Sequence, residues 1–171
     1  MTVKYFYLLN TNMKKEWTLP TSIFITITIL IILLDQLTKH FVRTYMLLGE
    51  RIYLIGKYIN LTYTTNTGAS FSILSDYSFI LGIIAVFVVI AIIIFYARIP
   101  REYRLAFALI LAGTVGNLID RMMYGAVTDF MNITIWPIFN VADVAITTAA
   151  ILLIREVWLE EKREEKEANL S

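Results

Sequence analysis

The chain has 171 residues, 58% of them hydrophobic and 17% charged, with a formal net charge of +1 and a mean hydropathy of +0.67. A soluble domain is nearer roughly 45–50% apolar and about 25% charged, so this composition reads as an integral membrane protein. It is read as a single domain, 1–171, with room for four spans of about 20 residues each. No basic patch stands out, so no nucleic-acid partner is expected. The absence of cysteine excludes disulfides, thiolate chemistry and Cys-based zinc sites, and the single histidine, His40, excludes a His-rich metal site within one chain. Carboxylates remain as the main titratable groups for chemistry near neutral pH.

Residues 1–17 are mixed, and Met13-Lys14-Lys15 stands directly before the first apolar run. Met13 is read as an alternative start, an idea that N-terminal sequencing showing Met1 or Thr2 would end. The first span is placed at about 19–40. It has the n- and h-regions of a signal peptide, but Asp35-Gln-Leu-Thr-Lys39-His40 follows in place of an A-x-A-like cleavage site, so it is read as an uncleaved helix. The largest connection, 42–76, holds two runs rich in β-branched and aromatic residues, Arg51–Ile55 and Tyr58–Thr65, with Gly56-Lys57 between them. These predict short strands of a small sheet on the membrane surface. Asn66-Thr67-Gly68 is a turn signal. A second span is expected at 77–97. Arg98-Ile-Pro-Arg101-Glu-Tyr-Arg104 forms a short loop before a third span at 103–121, and 121–138 makes a second, shorter connection. A fourth span at 140–158 runs into a tail, Glu160–Glu167, whose acids and bases alternate at i,i+4 spacing as on a solvated helix extension.

Lysine and arginine bias orients the chain. Lys39, Arg43, Arg51, Lys57 and Arg121 fall on one side; the other ten of the 15 fall with the two termini and the 98–104 loop. That richer side is expected to be cytoplasmic, which puts 42–76, Asp129 and the polar ends of the third and fourth spans outside.

Polar residues concentrate between Gly116 and Asp143. A charge at the bilayer centre costs roughly 2.5–3.5 kcal/mol on insertion scales, so such a cluster calls for a function. Asn117 and Arg121 are i,i+4 and share a helix face. Asp143 falls in the first turn of the fourth span if Asn140 caps it, where a helix N-terminus favours a carboxylate. Two readings of Asp129 and Asp143 are open from the residues alone. As a catalytic pair, one carboxyl keeps a proton while the other acts as general base on water, with no metal and no covalent nucleophile. As structural groups, Asp129 caps a loop and Asp143 is a first-turn residue of the fourth span. Asp120-Arg121 reads as an ion pair or cap at a helix end, Asp35 as an i,i+4 partner of Lys39, and His40, Tyr124 and Trp136 as interfacial residues. Asn66 and Gly68 read as a tight turn or as a place where an extended peptide binds beside an edge strand.

Four ordered boxes resemble the bacterial lipoprotein signal peptidases (signal peptidase II). They are Asp35-Gln-Leu-Thr-Lys39, Asn66-Thr-Gly-Ala-Ser-Phe71, Gly116-Asn-Leu-Ile-Asp-Arg121 with Gly125-Ala-Val-Thr-Asp-Phe130, and Phe139-Asn-Val-Ala-Asp143. Each is weak alone; together and in order, from about Asp35 to Ile154, they are specific. The resemblance implies a membrane all-α fold with four transmembrane helices and a small extracytoplasmic β-sheet element. It implies an aspartic endopeptidase in which Asp129 and Asp143 are the catalytic pair. Asn117, Arg121 and Asn140 would orient the pair and the peptide, Asn66 and Gly68 would lie near the substrate, and Asp35 would be supportive. No metal and no cofactor are implied. The implied substrate is a prolipoprotein carrying diacylglycerol on a cysteine, cut on the N-terminal side of that cysteine. The implied setting is the bacterial cytoplasmic (inner) membrane, among membrane lipid, as a monomer with both termini cytoplasmic and the site at the outer face.

Three departures stand out. Ala112-Gly113 occupies a place where two glycines are common, Ser70 replaces a common alanine, and the connection from Asp129 to Asp143 is a few residues short. The rival reading is a small ion or proton conductor, or a chaperone-like partner of another membrane protein. It is disfavoured because polarity gathers at one end of the spans instead of along them.

Overall fold

The computed structural model describes residues 19–68 and 78–169. The expectations for Met13, for Ala69-Ser70-Phe71 of the second box and for a span beginning at Tyr77 lie outside the described residues. Helix α1 spans Thr21–Tyr45, strands β1 and β2 span Arg51–Ile55 and Ile59–Asn66, and helix α2 spans Ser78–Phe95. Two 3-10 turns at Tyr96–Arg98 and Arg101–Tyr103 lead into helix α3, Arg104–Tyr124. Strand β3, Val127–Ile133, and helix α4, Val141–Ala168, complete the chain.

Among the described residues three helical stretches, Thr21–Tyr45, Ser78–Arg98 and Arg101–Tyr124, are long and apolar enough to cross a membrane. Their outward faces carry exposed Leu30, Leu37, Phe41, Phe87, Ile93 and Ile94, a surface that suits lipid and not water. Helix α4 is longer still, but its apolar run from Val144 to Ile154 is bracketed by Asp143 and by Arg155-Glu156, so composition alone does not mark it as a fourth span.

Helix α3 is the axis of the bundle and packs against α1, α2 and α4. Apolar burial drives little association in lipid, so close backbone approach has to do the work, and small residues permit it. Ala106, Ala108 and Ala112 of α3 and Ala142, Ala145 and Ala149 of α4 are all buried. A Cβ on Gly113 would stand 2.5 Å from the Ala142 carbonyl oxygen, and one on Gly116 would stand 2.6 Å from Asp35 Oδ2. These two glycines set how near α4 and α1 come to α3.

The expected small sheet is present and has three antiparallel strands in the order β1-β2-β3. Gly56, at φ +49°, turns β1 into β2. The reading of 121–138 as a plain connection is corrected: β3 runs through it. Gly125, at φ +74°, ends α3 in the left-handed region, and its N–H donates to Arg121 O at 3.0 Å. That sharp stop lets the chain reverse at once into β3, where Asp129 pairs with Thr64. The alternation that marks a strand was hidden because β3 is buried on both faces over Val127–Phe130. Val42, Met46 and Phe130, with Leu61, Tyr63 and Val141 against them, seat the sheet on the helix ends.

Candidate active site

The two aspartates singled out from the sequence come from different elements, and the fold brings them to one end of the bundle with Asn66, Asn117 and Asn140. Asp129 sits mid-strand on β3 and is 2% exposed. Asp143 is half-buried in the first turn of α4, behind a capping box: Asn140 Oδ1 accepts from the Asp143 N–H at 2.9 Å, and Asp143 Oδ2 accepts from the Asn140 N–H at 3.1 Å.

Asn140 and Asn117 join the two carboxylates. Asn140 Nδ2 donates to Asp129 Oδ1 at 2.7 Å and to Asn117 Oδ1 at 3.1 Å. Asn117 Nδ2 donates to Asp143 Oδ1 at 2.9 Å. The fourth carboxylate oxygen, Asp129 Oδ2, accepts from Asn66 Nδ2 at 3.1 Å, and Asn66 Oδ1 in turn accepts from the Gly68 N–H at 3.1 Å. Every oxygen of the two aspartates therefore has a fixed amide donor. A buried Lys39 sets the direction of the chain of donors. Its Nζ donates to Asn117 Oδ1 at 2.9 Å, which leaves the amide nitrogen facing Asp143.

Beneath this lies a second charged layer. Lys39 pairs with Asp35 at 2.8 Å, as the i,i+4 spacing predicts, and all of both side chains is buried. Lys39 also lies 3.6 Å from Asp120, and Arg43 lies 3.3 Å from it. Asp120 thus pairs across helices, not with Arg121 beside it; successive helix residues point away from one another and cannot meet. Two carboxylates and two cations make this layer neutral, a condition for burying it without severe cost. Asp35 Oδ1 accepts from the Ala142 N–H at 2.9 Å, one residue before Asp143. Asp120 Oδ2 accepts from the Thr128 N–H at 2.8 Å, one residue before Asp129.

Arg121 lies within electrostatic reach of Asp143, Asp129 and Asp120, and its buried Nε has no hydrogen-bond partner among the described residues. His40, Tyr124 and Trp136 are exposed, and of the three Tyr124 meets the network, through the Arg43 guanidinium 4.3 Å from its ring centroid. Lys39 beyond its Asp35 pairing, Gln36, Arg43 and Thr128 were missed as site neighbours. The signal for two of them was available, since Asp35, Lys39 and Arg43 recur at four-residue steps along one face of α1.

Burial pushes the Asp129 carboxyl up, and the charge of nearby Asp143 pushes it further, to about 6 from an ordinary 3.8; donors from Asn66 and Asn140 and the Lys39 charge hold it from rising more. Among the described residues no three His, Cys, Asp or Glu side chains are grouped to hold a metal ion. The arrangement offers one carboxyl biased toward its protonated form beside another at a helix N-terminus. That is the requirement for acid–base work on a bound water.

The fold and this end of the bundle define a membrane protein with a carboxylate site at the helix ends. Residues 27–159 match the family described as Signal peptidase (SPase) II. The lipoprotein signal peptidase of Moorella thermoacetica is 38% identical over 139 residues, which cover 80% of this chain and 93% of that protein. That of Brevibacillus brevis is 43% identical over 142 residues, covering 80% and 95%. A solved structure described as a bacterial membrane enzyme superposes with a TM-score of 0.79 at 31% identity, covering 85% of this chain and 93% of that one. The chain belongs to the signal peptidase II family, and it is a peptidase and an integral membrane protein.

Proposed function

We propose that this protein removes the signal peptide of diacylglyceryl-modified prolipoproteins, cutting on the N-terminal side of the lipidated cysteine, with Asp129 and Asp143 as the catalytic pair. The observation that carries this reading is the wiring of both aspartates, from different elements, through the same two asparagines. Asp143, ionised at the start of α4, takes a proton from water as the water oxygen attacks the scissile carbonyl carbon. Asp129, the more buried of the two, carries the shared proton and donates to the carbonyl oxygen. Collapse of the tetrahedral intermediate breaks the C–N bond: the proton held by Asp143 passes to the leaving amine of the cysteine, and one hydroxyl of the intermediate returns its proton to Asp129 as the new carboxyl group forms. Arg121, half-buried and within electrostatic reach of both aspartates, would orient the pair and the peptide, and Asn66 and Gly68 would lie near the substrate.

In this reading α4 is the fourth span, both termini face the cytoplasm, and the site meets the outer face of the cytoplasmic membrane. The scissile bond of a lipidated precursor lies there while its acyl chains stay in the bilayer. The enzyme works as a monomer without metal or cofactor. A conductor would need polar groups along the whole depth of the bundle. Among the described helical residues, the buried polar side chain on the far side of Asp35 from the site is Thr28, and its hydroxyl is used up on Phe24 O at 2.9 Å.

The test is cleavage of a synthetic lipidated prolipoprotein by purified protein in detergent, followed as a mass shift on a gel. Asp129→Asn and Asp143→Asn are each expected to lower turnover by about a thousandfold or more while the protein stays folded, since acid–base groups contribute roughly 10²–10⁴-fold each. Near-normal turnover by either variant would remove the two-aspartate mechanism.

A further inference from the structure

Thr128, the residue before Asp129, is held at two points by charged groups from two helices. Its N–H donates to Asp120 Oδ2 at 2.8 Å, and its Oγ1 accepts from Arg43 Nη1 at 2.9 Å. Arg43 is shared: the same Nη1 donates to Asp120 Oδ1 at 3.3 Å. The guanidinium also stacks on the Tyr124 ring, 4.3 Å from its centroid, so its plane is fixed. Only 15% of the Arg43 side chain is exposed. On the other side of the site, Asp35 holds the N–H of Ala142, the residue before Asp143. Asp35 and Arg43 are both on α1, two helical turns and about 12 Å apart at 1.5 Å per residue.

We propose that α1 is the ruler that sets the separation of the two aspartates, with Arg43 and Thr128 as positioning residues for Asp129. Neither touches the reacting atoms. Arg43 acts through the Thr128 hydroxyl and Asp120 to fix the β3 backbone, and Asp35 does the same for the α4 backbone. A helix interior is stiff, so a gauge built along one face of α1 keeps both aspartates in one frame while the strands around Asn66 accommodate a peptide. The inference rests on Asp129 and Asp143 being the catalytic pair.

Thr128→Val tests it with little disturbance. Valine keeps the shape and the backbone N–H to Asp120 but loses the acceptor for Arg43. It is expected to lower kcat about tenfold on the lipidated substrate, with KM changed by less than about twofold, because a small misplacement of a reacting group acts on the chemical step. Thr128→Ser restores the acceptor and is expected to return kcat to within about twofold of wild type. Arg43→Met also removes the Asp120 ion pair and is expected to lower kcat at least as much, and Arg43→Met with Thr128→Val to fall no lower than Arg43→Met alone, since the Arg43–Thr128 contact is already gone. Wild-type kcat for Thr128→Val, equal losses in the Val and Ser variants, or a loss appearing in KM alone would each overturn the proposal. Asp129→Asn in the same assay separates the two ideas. If it is inactive while Thr128→Val is fully active, only the ruler falls; if it remains active, the catalytic pair falls and the ruler with it.

Discussion

In the proposed mechanism the proton shared by Asp129 and Asp143 governs what the site does at a given pH. Burial and the Asp143 charge hold Asp129 at about 6, against an ordinary 3.8. An acid whose native value is raised binds more protons folded than unfolded between those two values. Its contribution to stability is therefore full below about 3.8 and is lost as pH rises through about 6. Activity follows the same proton. If the singly protonated pair is the working form, as proposed, kcat/KM should fall as pH rises through about 6, where Asp129 gives up its proton. The corresponding limb of kcat should lie at higher pH, because a bound lipidated peptide excludes water and adds to the desolvation that raised Asp129 in the first place. Steady-state rates across about pH 5–8 measure both limbs. A kcat/KM profile flat over that range would detach the shared proton from the mechanism. These apparent values belong to the pair and not to either residue alone.

At the scale of elements, the site depends on how closely helices approach, and the glycines of α3 make this testable. Gly116 faces Asp35, whose carboxylate cannot swing aside because Lys39 and the Ala142 N–H hold its two oxygens. Gly116→Ala gains up to about 1 kcal/mol of helix propensity, but overpacking against a pinned group costs roughly 1–3 kcal/mol, so stability should fall. A Cβ on Gly82 of α2 would meet nothing within 4 Å among the described residues, and Gly82→Ala should be neutral or slightly stabilising. Thermal unfolding in detergent compares the two; equal midpoints would mean that the α1–α3 approach is looser than described. Sequence reasoning reaches these helices unevenly. The long apolar runs of α1, α2 and α3 announce themselves, and β1 and β2 show as β-branched and aromatic stretches around Gly56-Lys57. Strand β3 does not, because a strand buried on both sides has no alternation to read. Yet the capping box at Asn140 and the Asp35–Lys39 pair were legible, because both are local. Contacts such as Asp120 with Arg43 join residues 77 apart in sequence, and no spacing rule reaches that far.

The whole molecule raises the question of whether α4 crosses the bilayer. Its 28 residues measure about 42 Å at 1.5 Å per residue, more than the roughly 30 Å of hydrocarbon. Its two ends are tied to opposite ends of α3. Asp143 meets Asn117 near the site, while Glu160 Oε2 accepts from the Tyr103 hydroxyl at 2.6 Å just before α3 begins. Lys162 packs over the Trp158 ring, 5.0 Å from its centroid, an aromatic and a cation paired as at a membrane–water boundary. If α3 spans, α4 lying antiparallel along it spans too, and the charged tail beyond Trp158 emerges on the side of Arg98 and Arg101. The chain has no cysteine, so single cysteines report this cleanly. With an impermeant maleimide added to intact cells, Lys57→Cys in the β1–β2 turn should label from outside. Arg101→Cys and Glu164→Cys should label only after permeabilisation. Labelling of Glu164→Cys from outside, with Arg101→Cys protected, would leave three spans and place the two ends of α4 on one side. A site built on the first turn of that helix would then have lost its frame.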